Sequence, residues 1–317
     1  MLTVSNYHYI RENFDAPFLS IFGVTPKLFE KQLLLLKKTG TFIHPNDLIS
    51  NPDKIIKSKQ NYILITFDDG LKEQFELAKP ILDQLKIPAL FFVNSINHIE
   101  KKVSLVHKIH LLRSQMSPSK LLSTFAAAGP KFIIALSTLE KRKAILHYNY
   151  DNEESAYLKY ILNFKLNIAE QSKLIDSIFD HFFNEKKVIE TLYMAENQLT
   201  ILAKEGMLGS HTHSHMALGL LEPELIEDEL SKTKHYLKQL TNTNIVSISY
   251  PYGSIEACAK PVSELAQSLE YTIGFTMERG INTGDENKLL LKRFDCNDLP
   301  GGKNEKFFKD EYSFIYK

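Results

Sequence analysis

With 317 residues, an apolar fraction of 44% and a formal charge of zero, the chain is long enough to bury a full core, as one domain of barrel size or two ordinary ones. There is no basic excess to suggest a nucleic-acid surface, and lysine pairs such as Lys101-Lys102 and Lys186-Lys187 read as solvated surface. No run approaches the roughly 18 apolar residues that span a bilayer, the N-terminal residues lack a secretory pattern, and Cys258 and Cys296 suggest no disulfide framework; together these predict a cytoplasmic location.

In chain order, residues 4–10 read as a short strand and 26–38 as a helix, with Thr25 as N-cap and Gly40 as its stop. Tyr62–Phe67 is continuous and apolar and ends at Asp68-Asp69-Gly70, the pattern of a buried strand. Residues 72–85 carry a helical stripe at Phe75, Ala78, Leu82 and Leu85, and Pro80 is expected to kink it. Ala89–Val93 is a second buried strand. This strand–helix–strand rhythm belongs to βα units on a parallel sheet or barrel. Residues 100–197 differ, with one glycine, two prolines and helical stripes such as Ile175, Ile178, Phe179 and Phe182; they predict a helical insertion in a chain otherwise read as one domain, 1–317. The barrel pattern then resumes: helix 198–205, strand 207–210, helix 222–240, strand 245–250, helix 261–269 and strands 271–276 and 289–294.

Three clusters carry chemistry. Asp68 and Asp69 stand where a strand ends, the end that faces the active site in α/β barrels. Adjacent carboxylates leave such a strand in different directions, so one can hold a metal while the other acts on protons. His211 and His215 are four residues apart, on one face if the segment is helical, and His213 between them should point elsewhere. Two imidazoles and a carboxylate form a divalent site with positions left open for water and substrate. The third cluster, Ser249-Tyr250-Pro251-Tyr252-Gly253, is a tight turn after an apolar strand that can aim a backbone N–H at an oxyanion. Together the clusters point to a metal-assisted hydrolase.

The chain resembles the polysaccharide deacetylase family, the NodB-homology group of carbohydrate esterases. The resemblance rests on Thr66-Phe67-Asp68-Asp69-Gly70, on His211-Thr212-His213-Ser214-His215, and on Ser249 to Gly253 where the family usually has Arg-x-Pro-Tyr-Gly; it covers about residues 1–98 and 197–297. It implies an α/β fold, a distorted (β/α)7 barrel, and hydrolysis of an N- or O-acetyl group on a sugar or glycan precursor. It also implies Asp68 as general base, Asp69, His211 and His215 as ligands of one divalent metal, and Tyr252 as backbone donor to the oxyanion. Zinc is the default metal, with cobalt, nickel or iron as alternatives.

Departures from the family pattern matter as much. Ser249 stands where an arginine usually holds the base, the chain has no tryptophan for the usual Asp-x-Trp motif, and no histidine follows His235 to supply the usual general acid. Three readings stand: an inactive binder, water as the acid, or an acid from elsewhere in the chain. Tyr7-His8-Tyr9-Ile10 resembles the N-terminal strand of circularly permuted members acting on poly-N-acetylglucosamine, which implies His8 as the acid beside Asp68. Arg293 and Asp295, on the last predicted strand, are candidates for the missing arginine and aspartate. A non-sugar amidohydrolase on a similar barrel is the alternative chemistry, and the insertion is a candidate lid, dimer surface or docking face.

Overall fold

A computed structural model describes residues 1–148, 151–299 and 301–303. The chain forms two compact units. The first comprises Met1–Asn13, Phe22–Lys102 and the chain from Ile189 onward; the second comprises Phe14–Ile21 and Val103–Val188. Against an expected helical insertion at about 100–197, the second unit is bounded more tightly and also takes in Phe14–Ile21, which carries no helical signal.

The first unit is built on seven parallel strands: β1 (Leu2–Tyr7), β2 (Tyr62–Phe67), β3 (Ala89–Val93), β4 (Leu208–Ser210), β5 (Ser247–Ser249), β6 (Ile273–Phe275) and β7 (Phe294–Asp295). Their order across the sheet is β7-β1-β2-β3-β4-β5-β6, with Thr41–Phe42 pairing beside β2. An isolated parallel bridge joins Phe275 to Leu291, just before β7, so the sheet curls toward closure as a half barrel. Helices cover its outer face: α1 (Pro26–Leu36), α2 (Lys79–Leu85), α3 (Glu196–Lys204), α4 (Pro223–Thr241) and α5 (Val262–Ser268). Parallel strands covered on both sides are apolar without alternation, and every residue of β1 and β3 is buried.

Strand parity sorts these side chains. Ile63, Ile65 and Phe67 join the core under the helices, where Phe67 stacks on Phe91 at 4.7 Å. Leu64 joins Leu2, Val4, Leu90, Phe92, Ile273 and Phe275 in the barrel interior. Because side chains alternate with period two, Thr66 and Asp68 continue Leu64's side, and Asn6 and His8 continue that of Leu2 and Val4. The register of β1 on β2 sets Asn6 opposite Thr66 and Tyr7 opposite Phe67, and the Asp68 N–H donates to the Tyr7 carbonyl at 3.0 Å. His8 is thereby delivered next to Asp68 by the ladder itself.

Several elements depart from the sequence expectation. The first strand breaks at His8, and Tyr9–Ile10 pairs separately with Gly23–Val24. The helix expected over 72–85 begins as a π-helical turn, Gln74–Ala78, and becomes α-helical only at Lys79. Pro80 lies in the first turn of that helix, where its missing N–H is tolerated, so it starts a helix rather than kinking one. Of the expected run 289–294 only Phe294 lies in the last strand, Phe294–Asp295, while Leu291 makes an isolated bridge to Phe275. The α1 helix forms as its sequence dictates: the Thr25 hydroxyl accepts from the Leu28 N–H at 3.3 Å, Pro26 opens the first turn, and Phe29, Leu33 and Leu36 are buried.

The second unit is helical, with Leu105–Gln115, Pro118–Ala128, Thr138–His147, Glu153–Phe164 and Ile168–Phe182 as its main elements. Leu174, Ile175, Ile178 and Phe179 form the buried stripe of the last. Lys108 is buried and is neutralised by Asp176 and Glu185, each at 2.7 Å, as a buried ammonium requires.

Candidate active site

Three chain segments meet at the C-terminal ends of the strands. Asp69 follows β2 in a left-handed conformation, φ 78°, and Gly70 follows at φ 64°. A β-carbon at Gly70 would lie 2.7 Å from Val93, so glycine is required there both by φ and by space. The second segment leaves β4 as an irregular loop, not a helix, with Thr212 and His215 both at φ 62°. The spacing of four therefore unites His211 and His215 through a loop that doubles back. The third segment places Tyr252 at φ 62° and Gly253 at φ 57°. Four of the eight non-glycine residues with positive φ among the described residues lie in these three motifs, and strain of this kind persists where surrounding structure fixes it.

The metal-ligand candidates converge. Asp69 Oδ1 lies 3.5 Å from His211 Nε2 and 3.3 Å from His215 Nε2, and the three donor atoms all fall within 4.8 Å of one another. The His211 Nδ1–H donates to the Ser249 carbonyl at 2.7 Å, which turns the Nε2 lone pair toward Asp69. One carboxylate and two imidazoles, all buried or nearly so, suit a divalent cation with open positions. His213 points away, as expected: its Nδ1 meets Ser95 Oγ at 2.8 Å and its Nε2 meets Glu100 Oε1 at 2.9 Å. The loop is held from below by the buried Glu229 of α4, which accepts from the Ser214 N–H at 2.8 Å and from its hydroxyl at 2.5 Å.

Asp68 is caged by cations and donors. Arg293 NH1 donates to Oδ1 at 3.0 Å and NH2 to Oδ2 at 2.8 Å, and Asn6 Nδ2 donates to Oδ2 at 3.0 Å. Arg293 has no exposed surface; its remaining donors reach Thr276 O, Asn6 Oδ1, Thr66 Oγ1 and Ser249 Oγ. Burial alone would push the Asp68 carboxyl up. The Arg293 guanidinium and then the His211 ring outweigh it and hold that carboxyl well below the usual carboxylate range. Gln74, buried in the π-helical turn, donates to the backbone carbonyls of Asp68 at 2.6 Å and His8 at 2.9 Å. Such turns recur at functional sites.

His8 stands between two carboxylates. Its Nε2 lies 3.9 Å from Asp68 Oδ2, its Nδ1 lies 4.0 Å from Asp295 Oδ2, and it is partly open to solvent. Asp295 is oriented by the Asn297 N–H at 2.7 Å. Tyr252 is half exposed with its ring 5.3 Å from that of His215, and Gly253 is pinned by the Met277 N–H at 2.8 Å. The structure thus brings together all eight residues named from the sequence. It adds Asn6, Gln74 and Glu229, polar residues buried on otherwise apolar faces. That mismatch was their only sequence signal.

A family profile described as "Polysaccharide deacetylase" matches residues 56–123 and 178–274, just over half of the chain. The chain belongs to the polysaccharide deacetylase family. The deacetylase PplD of Streptococcus pyogenes superimposes with a TM-score of 0.57 at 17% identity, covering 97% of this chain and 96% of that one. IcaB from Ammonifex degensii gives 0.56 at 16% identity over 100% of this chain and 97% of that one. These likenesses establish the fold as the distorted barrel of NodB type. The Bacillus subtilis polysaccharide-deacetylase-like protein YxkH is 26% identical over 113 residues, 35% of this chain and 39% of that relative's length. Among the described residues, no helix is long and apolar enough to cross a membrane.

Proposed function

We propose that this polysaccharide deacetylase family member removes an acetyl group, foremost an N-acetyl group, from a sugar or glycan precursor with the help of one divalent metal. The observation that carries the reading is the convergence of Asp69, His211 and His215 beside a carboxylate clamped by Arg293. Asp69, His211 and His215 would hold the metal, with zinc foremost and cobalt, nickel or iron as alternatives. A divalent cation there supplies Lewis acidity, lowering the pKa of water and polarising the acetyl carbonyl.

The chain's own residues account for the protons. Asp68, kept charged by Arg293, takes a proton from the attacking water as oxygen adds to the acetyl carbon. The Tyr252 backbone N–H donates to the oxyanion that develops on the carbonyl oxygen. His8 gives a proton to the sugar nitrogen as the C–N bond breaks, since an amide nitrogen cannot leave as an anion at neutral pH. Asp295, on the other side of the ring, orients His8. Water is consumed, and acetate and an amino sugar are released. Arg293, arriving just before β7, takes the place of the arginine that Ser249 replaces, and Ser249 accepts from it at 2.8 Å.

The test is acetate release from a panel of N-acetylated mono- and oligosaccharides, O-acetylated sugars and cyclic amides, with and without chelator. Chelator-sensitive release from the N-acetylated sugars is expected. Hydrolysis confined to the cyclic amides would replace the reading with a non-sugar amidohydrolase, and stoichiometric metal with no turnover on any substrate would make the chain a binder.

A further inference from the structure

The helix Thr138–His147 of the second unit has a surface that its packing does not explain. Ala144 is its one buried residue. At 3.6 residues per turn, Leu139, Arg142, Lys143 and Leu146 share the opposite face, with Ile145 at its border. Leu139 is 62% exposed, Ile145 38% and Leu146 78%. Arg142 and Lys143 are exposed and make no ion pair among the described residues. The helix's single acid, Glu140, is taken up elsewhere: one oxygen accepts from Lys165 at 2.8 Å and the other from the Ser137 N–H and hydroxyl. The outward face is therefore aliphatic and cationic, with no anion. Just before the helix, Ile133 is 67% exposed, while Lys131 is paired with Glu170 at 3.5 Å.

We propose that this helix docks the second unit on the surface of an anionic phospholipid membrane. The complementarity is specific in its chemistry. Leu139, Ile145 and Leu146 enter the boundary between headgroups and acyl chains, while Arg142 and Lys143 lay their methylene stems along it and reach lipid phosphates. A glycan would ask for aromatic faces and for carboxylate or amide partners to sugar hydroxyls, and the outward face has neither. A second copy meeting it across a two-fold axis would set cation against cation. Binding of this kind is reversible and salt-dependent, since it rests on a few cations near an anionic surface. The inference does not depend on the acetyl-hydrolase reading.

The experiment is co-sedimentation of the full chain with vesicles of about 30% phosphatidylglycerol in phosphatidylcholine, against pure phosphatidylcholine, at low and high salt. Binding to the anionic vesicles alone, weakened by salt, is expected. The double variants Arg142→Glu/Lys143→Glu and Leu139→Ser/Leu146→Ser should each reduce the bound fraction by about tenfold or more. All four positions face solvent, so both variants should keep the parent's thermal unfolding and its acetate release from a dissolved acetylated sugar. If one variant fails to fold, the other and the salt series on the parent still decide. The proposal is overturned if the parent does not bind anionic vesicles, or if both folded variants bind as it does. It is equally overturned if the parent sediments as a dimer that Leu139→Ser/Leu146→Ser dissolves while no vesicle binding is seen.

Discussion

Asp68 and Arg293, 225 residues apart in the chain, meet in two parallel hydrogen bonds of 3.0 and 2.8 Å inside the barrel, both with essentially no exposed surface. Removing one partner of such a pair leaves a buried charge unanswered. Arg293→Met should lower stability by about 3–5 kcal/mol, read by denaturant unfolding of metal-stripped protein. The pH dependence has a definite sign. In the parent the Asp68 carboxyl is depressed, so its contribution is present above the unfolded value of about 3.9 and is lost only as pH falls through the lower folded value. In the variant, burial without Arg293 raises that carboxyl, so the variant's deficit should shrink as pH falls from about 7 toward about 5. A deficit that stays constant over that window would mean Asp68 is not the group relieved.

Metal and fold should be linked at Asp69. A ligand that binds only the native state stabilises by about 2.7 kcal/mol at one hundred times its dissociation constant. Added zinc or cobalt should therefore raise the thermal midpoint of the chelator-stripped parent. Asp69→Ala should abolish both that rise and stoichiometric metal on elemental analysis. An undiminished shift in the variant would move the metal elsewhere.

For His8 the expected signature is loss of turnover with retention of metal. A positioned acid contributes about a hundred- to ten-thousandfold, so His8→Ala should lose activity on that scale while its metal content matches the parent's. Near-parental turnover would place the acid on another group.

Glu229 offers a subtler test. It touches no candidate ligand but accepts two hydrogen bonds from Ser214, next to His215. Partners that orient metal ligands typically account for 10- to 100-fold in affinity. Glu229→Ala should weaken metal binding by about that factor in competition titrations. Glu229→Gln, which keeps an acceptor, should recover part of it.

The two cysteines should be inert in the native protein. Burial pushes the Cys258 thiol up to about 12, with Glu278 adding to the rise and Arg293 opposing it, and burial pushes Cys296 up as well. The thiolate is the reactive form. Alkylation at mildly alkaline pH should be slow for the folded chain and fast in denaturant, a contrast mass spectrometry reads directly.

Strands buried on both faces announce themselves, and Tyr62–Phe67 and Ala89–Val93 have the bounds that their apolar runs suggest. The run Leu289, Leu290 and Leu291 is apolar enough to predict a longer last strand, yet the strand is only Phe294–Asp295, and Leu291 joins the sheet through an isolated bridge to Phe275. Apolarity reports burial, and how long a regular ladder runs is a separate matter. The π-helical turn was invisible because its residues carry an ordinary helical stripe. Within it Gln74 reaches the carbonyl of Asp68 nearby in the chain and that of His8, and the second contact exists only after β1 has paired with β2. Asn6 is only half legible for a related reason: its place on an apolar strand face marks it, but what it meets is set by the register that puts it opposite Thr66.

The pairing of β7 with β1 also bears on the order in which the chain is made. A nascent chain that has emerged only through Lys288 already carries Asp69, His211 and His215, and also Asp68, but not the guanidinium that makes burial of Asp68 tolerable. The surroundings of Asp68 are therefore completed by residues synthesised after Asp69, His211 and His215. A chain cut short before Arg293 would still carry Asp69, His211 and His215 but would lack the cation that neutralises the buried Asp68.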